Sequence, residues 1–77
     1  MMTLIQGEPG KTYRVYDIRL DKLAERRFQI LGMTRGADVS VLNKKRSGSV
    51  IIKIRGTRFA VGKSFAEGIW IGGEKHA

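Results

Sequence analysis

Glu25-Arg26-Arg27-Phe28-Gln29-Ile30-Leu31-Gly32-Met33-Thr34-Arg35-Gly36 is the stretch that decides how this 77-residue chain folds. It reads as the end of an amphipathic helix, a glycine stop, a short turn and a second glycine. A valine-rich segment, Val39 to Asn43, follows at once. Gly32 suits the left-handed position just past a helix end, where a β-carbon carries a steric cost. Gly36 suits a turn position of positive φ. The result is a tight helix-to-strand corner.

Upstream of the corner, Asp21 is the natural N-cap, an acceptor for the orphan N–H groups of the first turn. Leu23, Ala24, Arg27, Phe28 and Leu31 fall at helical spacing, with Ile30 beside them. We read them as the core-facing stripe of a helix over about residues 21–31. Arg27 is expected to lay its stem along core side chains and to reach outward with its head. Before the helix, Gly7-Glu8-Pro9-Gly10 is a turn. Tyr13 to Ile18 is a strand whose buried side is ambiguous: Tyr13 and Val15 share one face, Tyr16 and Ile18 the other.

Downstream, Val39 and Val41 alternate with Ser40 and Leu42. Lys44 to Ser49 is a hairpin loop that turns at Ser47-Gly48. Val50 to Arg55 is the clearest strand, with Val50, Ile52 and Ile54 on one face and Ile51, Lys53 and Arg55 on the other. Gly56-Thr57 is the next turn, and Phe59 and Val61 then face inward. Lys63 to Glu67 reads as one helical turn with Ala66 packed inward. Ile69 and Ile71 close the last strand, with Trp70 pointing the other way, and residues 72–77 read as a frayed polar tail. The expectation is a mainly β domain, a small curled barrel of five to six short strands with one main helix, which hides strand edges. It forms a single domain over 1–77, with its core at about 4–71.

Composition narrows the function classes. A chain of this size buries only roughly 60% of its unfolded surface, leaving little for a deep catalytic cleft. There are no cysteines, hence no disulfide and no thiolate metal site. The apolar runs fall far short of the ~20 residues that span a bilayer, and the first residues lack a signal-peptide pattern. These features lead us to expect a cytoplasmic domain without membrane insertion. The single histidine, His76, falls in the expected tail, whereas a catalytic histidine needs a positioned partner, and Ser40, Ser47, Ser49 and Ser64 have no recognisable activating base in the sequence. We therefore expect no enzyme and no cofactor. Glu8, Asp17, Asp21, Glu25, Asp38, Glu67 and Glu74 are scattered rather than grouped as metal ligands. Gly10-Lys11-Thr12 ends like a phosphate loop, but Ile5 stands where the first glycine belongs and a strand, not a helix, follows.

The formal net charge is +8, and it is uneven. Arg35, Lys44, Lys45, Arg46, Lys53, Arg55, Arg58 and Lys63 face only Asp38 between residues 35 and 63. Such a field attracts nucleic acid, an acidic protein face or lipid head groups, and it also serves solubility and strand-edge protection.

Taken in order, the motifs are Leu4-x-x-Gly7, a Val/Tyr strand, Arg26-Arg27-Phe28-x-x-Leu31-Gly32-Met33-x-x-Gly36 and a strand. A basic hairpin, Val50-x-Ile52-x-Ile54-x-Gly56-x-x-x-Ala60-Val61 and Ala66-x-x-Ile69 follow. From Leu4 to Ile71 this set resembles the FeoA family, the small SH3-like proteins of bacterial ferrous-iron transport. The resemblance implies an SH3-like barrel. It also implies an accessory role on the cytosolic side of the ferrous-iron permease, whose GTP-binding domain is the expected partner. The Lys44–Ser49 loop departs from the prolines many relatives carry there.

Two surfaces are candidates for that contact. One is the outward strand face of Leu42, Ile51, Lys53 and Arg55, joined by Trp70; aromatic, aliphatic and arginine character marks interface centres. The other is the basic loop Lys44, Lys45 and Arg46. Each has a plainer alternative: burial of Trp70 beneath a helix or loop, and an ordinary solvated turn. Arg26 is left open between clamping a partner carboxylate and pairing with Glu25. A nucleic-acid-binding barrel acting through the basic face is the alternative function, and a metal-regulator appendage shares the fold. Outward apolar residues also leave a homo-oligomer open.

Overall fold

Alternating apolar residues are what the core of this protein is built from. The computed structural model describes residues 1–75 and contains six strands and two helices. They are β1 (Met2–Thr3), β2 (Thr12–Ile18), α1 (Lys22–Ile30), β3 (Asp38–Lys44), β4 (Val50–Ile54), β5 (Thr57–Val61), α2 (Lys63–Ala66) and β6 (Ile69–Lys75). A 3₁₀ turn at Leu4–Gln6 follows β1. The strands form one antiparallel sheet in the order β1-β6-β2-β3-β4-β5.

Inward residues from β2, β3, β4, β5 and β6 join Leu4, Met33 and Ala66 in one buried cluster. The sheet therefore curls around a single core, and α2, at the end of β5, meets the 3₁₀ turn that follows β1. This is the SH3-like arrangement expected from the sequence. The alternation in β3 and β4 holds as read: Val39, Val41, Val50, Ile52 and Ile54 are all buried.

A bulge resolves the ambiguity of β2. Val15 pairs with Ile71 while Asp17 pairs with Trp70, so Tyr16 is an extra residue on β2. The extra residue flips the alternation, and Tyr13, Val15 and Ile18 are all buried while Tyr16 is exposed. Tyr16 lies across Gly72 and Gly73. A β-carbon at Gly72 would stand 2.7 Å from the Tyr16 ring and one at Gly73 3.0 Å from its hydroxyl. That contact belongs to β6, which continues through these glycines, with Gly72 paired to Arg14 and Lys75 to Thr12. The expected fraying from residue 72 is thus corrected for 72–75; His76 and Ala77 lie outside the described residues.

The corner forms as its glycines require. Asp21 Oδ1 accepts from the Ala24 N–H at 2.9 Å and starts α1. Gly32 has φ +101° and Gly36 φ +90°. Gly32 carries a second demand, because a β-carbon there would sit 2.8 Å from Cδ of Arg55. Arg55 itself corrects the expected β4 boundary. Ile54 pairs with Thr57, so the turn is Arg55-Gly56, with φ +49° and +79°, and not Gly56-Thr57. Two successive left-handed residues match the twist of a two-residue hairpin.

Candidate functional site

The helix departs most from its sequence reading. Ala24 is buried and Phe28 half-buried, but the remaining apolar residues of the stripe are not covered. Leu23 is 64% exposed, Ile30 80% and Leu31 41%. A nine-residue helix touches a small barrel along a narrow line, so only Ala24 and Phe28 reach the core. Leu23, Arg27 and Leu31, spaced four apart, form the neighbouring ridge.

That ridge is one wall of a groove. Phe59, Ala60 and Gly62 from β5 and its exit, together with Phe65 of α2, complete it, and the open groove has a volume of about 470 Å³. Phe65 is 41% exposed and meets the Phe28 ring edge-on at 5.5 Å between centroids. The sequence offered a signal for Phe65: a single helical turn that buries Ala66 must turn its neighbour elsewhere. It offered none for Leu23 and Leu31, whose spacing is that of a core stripe. The lining carries one cation, Arg27, and β5 carries another, Arg58, beside Phe59; among the described residues neither makes an ion pair, and the acid in the lining, Asp21, is occupied as the helix cap.

The residues nominated from sequence are distributed over three places. Leu42, Ile51 and Lys53 share the outer face of β3 and β4, Leu42 being the extra residue of a bulge between Val41 and Asn43. Lys44, Lys45 and Arg46 are exposed at the hairpin, closed by Lys45 N–H to Ser49 O at 2.8 Å. Arg55 projects from its turn against Gly32. Trp70 is on β6, separated from β3 by β2, and the Arg19 guanidinium lies 5.0 Å above its ring. Arg26 is exposed and does not pair with Glu25, which bonds Arg35 instead.

Arg35 organises the side around Trp70. Its Nη2 donates to Asp17 Oδ1 at 2.9 Å and its Nη1 to Glu25 Oε1 at 3.2 Å. Arg19 Nε takes the other Asp17 oxygen at 3.1 Å. Hydrogen bonds from Arg19 and Arg35 hold the Asp17 carboxyl below the ordinary carboxylate range. The network ties β2, the helix and the corner together. Elsewhere Lys11 Nζ lies 2.6 Å from Glu8 and 3.0 Å from Glu74. Those hydrogen bonds raise the Lys11 pKa, and a lysine held between two carboxylates is not presented to a phosphate.

Among the described residues, no group of three or more His, Cys, Asp or Glu side chains is placed to hold a metal ion. No helix among them is long and apolar enough to cross a membrane. Among curated proteins the chain has no significant match. Solved structures do resemble it. A crystal structure of an iron uptake regulatory protein, FeoA, has 30% identity and a TM-score of 0.84, covering 96% of this chain and 97% of that one. The solution structure of FeoA from Chlorobium tepidum has 26% identity and a TM-score of 0.84, covering 92% and 69%. The FeoA of Stenotrophomonas maltophilia, crystallised with zinc and described as a prokaryotic SH3 domain protein, has 25% identity and a TM-score of 0.74, covering 92% and 89%. The FeoA domain family matches residues 2–72, and with the glycine corner, the curled sheet and these likenesses in place, the chain belongs to the FeoA family of ferrous-iron transport proteins.

Proposed function

We propose that this protein is a non-enzymatic accessory module of ferrous-iron uptake that docks on the cytosolic GTP-binding domain of the ferrous-iron permease and modulates its assembly or activity. The observation that carries the reading is the exposed apolar wall of α1 with Phe65. A domain this small has few large apolar side chains, and the exposure of Leu23, Ile30, Leu31 and Phe65 supports a protein contact there. The relative from Stenotrophomonas maltophilia is described as a candidate activating factor of bacterial ferrous-iron transport, which supports the same role here. Docking of this kind places the chain in the cytoplasm, peripheral to the inner membrane through its partner.

The test is calorimetric titration of the chain into the soluble cytosolic domain of the permease from the same genome, with and without GTP. Saturable binding supports docking, and a change in affinity with GTP makes the chain a reader of the nucleotide state. Heat of dilution alone in both conditions overturns the reading.

Nucleic-acid binding is favoured by one observation, the net charge of +8 with its basic outer face. Its weakness is geometric. Stacking platforms place aromatic rings within the basic groove, whereas Trp70 lies beneath Arg19 and Tyr16 against Gly72 and Gly73. A salt titration with mixed DNA and RNA decides it, since phosphate contacts give log–log slopes of roughly −0.7 to −0.9 per contact.

A further inference from the structure

The groove beside α1 has a backbone wall as well as a side-chain wall. β5 is the last strand of the sheet and pairs only with β4. Its groove-lining residues Phe59 and Ala60 are consecutive, and consecutive strand residues point to opposite faces. A groove that both line runs along the edge of β5. The register says which main-chain groups stand there. Ile54 and Thr57 flank a two-residue turn and therefore exchange hydrogen bonds, as do Ile52 with Phe59 and Val50 with Val61. Arg58 and Ala60 alternate with them, so their N–H and C=O groups point away from β4, toward the groove. Among the described residues, neither makes a backbone hydrogen bond to any other segment.

Edges of this kind are usually protected by shortness, a bulge, a proline or charged side chains, and the one charge on β5, Arg58, repels basic segments but not acidic ones. The opposite edge, β1, has two residues. β5 has five, pairs with β4 without a register shift, and contains no proline. Across from it stand Leu23, Arg27 and Leu31. Eight residues of helix span about 12 Å, the length of about four extended residues.

We propose that this groove binds an extended segment of a partner protein as an added strand on β5, with its apolar side chains against Leu23, Leu31 and Phe65 and acidic side chains against Arg27 and Arg58. Main-chain bonds to Arg58 and Ala60 supply affinity, and the alternate side chains supply specificity. The occupant is acidic because Arg27 in the lining and Arg58 on β5 make no ion pair among the described residues, and the chain as a whole carries +8. The same charge disfavours a second copy of this chain in that place. The inference rests on the docking reading, for which it names the surface and the partner's chemistry.

The probe is an acetylated octapeptide alternating leucine with glutamate, compared with its lysine counterpart and with the glutamate peptide N-methylated at alternate residues. Binding is followed by fluorescence anisotropy and by hydrogen exchange of the Arg58 and Ala60 amides. The glutamate peptide is expected to bind at least about tenfold more tightly than either control, a difference of ~1.4 kcal/mol, and to protect both amides. Leu31→Ser and Ala60→Pro each weaken it by a similar factor. Ala60→Pro removes only an outward N–H, and its thermal midpoint checks that it folds. Equal binding of the N-methylated peptide, no protection of the two amides, or no binding overturns strand addition. The permease domain titrated with wild type and Ala60→Pro separates the two proposals. Equal affinity for both rejects the added strand and keeps docking. Failure of the domain with success of the peptide rejects that partner and keeps the groove.

Discussion

β4 and α1 both carry a regular apolar pattern, and the two patterns meet different fates. In β4, Val50, Ile52 and Ile54 each turn inward and are no more than 1% exposed. In α1, Ala24 and Phe28 turn inward while Leu23, Ile30 and Leu31 remain in water. A strand inside a curled sheet has neighbours on both edges and a full core beneath it, so its whole inner face is covered. A short helix laid on the outside of that sheet meets it along one line. Periodicity in the strand therefore reports burial throughout, and periodicity in the helix reports burial on one ridge and solvent exposure on the next.

Core and ridge should respond differently to truncation. Ile52→Ala should cost about 2–5 kcal/mol in urea unfolding, the range for emptying a filled core position. Gly32→Ala comes next. Its φ of +101° is strained for alanine and the new methyl must displace the Arg55 stem, so a loss of about 1–2 kcal/mol is expected. Asp21→Ala removes the cap bond to Ala24 and should cost about 1 kcal/mol, read from the same unfolding curves.

A smaller effect sharpens the role of the corner network. Asp17 has its pKa lowered from 3.8 in the folded state, so its contribution is complete above that value and is lost as pH falls through the lowered one. Arg35→Gln should thus lower the urea midpoint at pH 7, and the gap to wild type should close as the pH is taken below about 4. A gap that stays constant with pH would assign Arg35 a packing role instead. The smallest effect is on the ridge. Leu23→Ser should change stability by no more than about 0.5 kcal/mol, and a loss comparable to Ile52→Ala would show that the ridge is core after all.

The elements themselves were legible because each rests on local chemistry. Asp21 caps, Gly32 and Gly36 take positive φ, and Val39, Val41, Val50, Ile52 and Ile54 alternate. Arg55 was misread as a strand residue because nothing in its side chain signals a left-handed backbone; the hairpin forces it. Residues 72–75 read as part of a tail because they are polar and close to the end of the chain, yet Tyr16 packs on Gly72 and Gly73 from a strand far away in sequence. The pairing of Glu25 with Arg35 rather than Arg26 was equally hidden, since it depends on the turn bringing residue 35 back beside the helix.

By itself the sequence determined a single mainly β domain with one capped helix, a basic surface and the motif order that places it in its family. Local rules suffice for that, because caps, turns and alternation act over a few residues. Only the tertiary structure decided which apolar residues stay in water, which strand is left as an open edge, and that both border one groove. Those outcomes depend on how the sheet curls and on which elements it brings side by side, and no spacing along the chain encodes a distance across it.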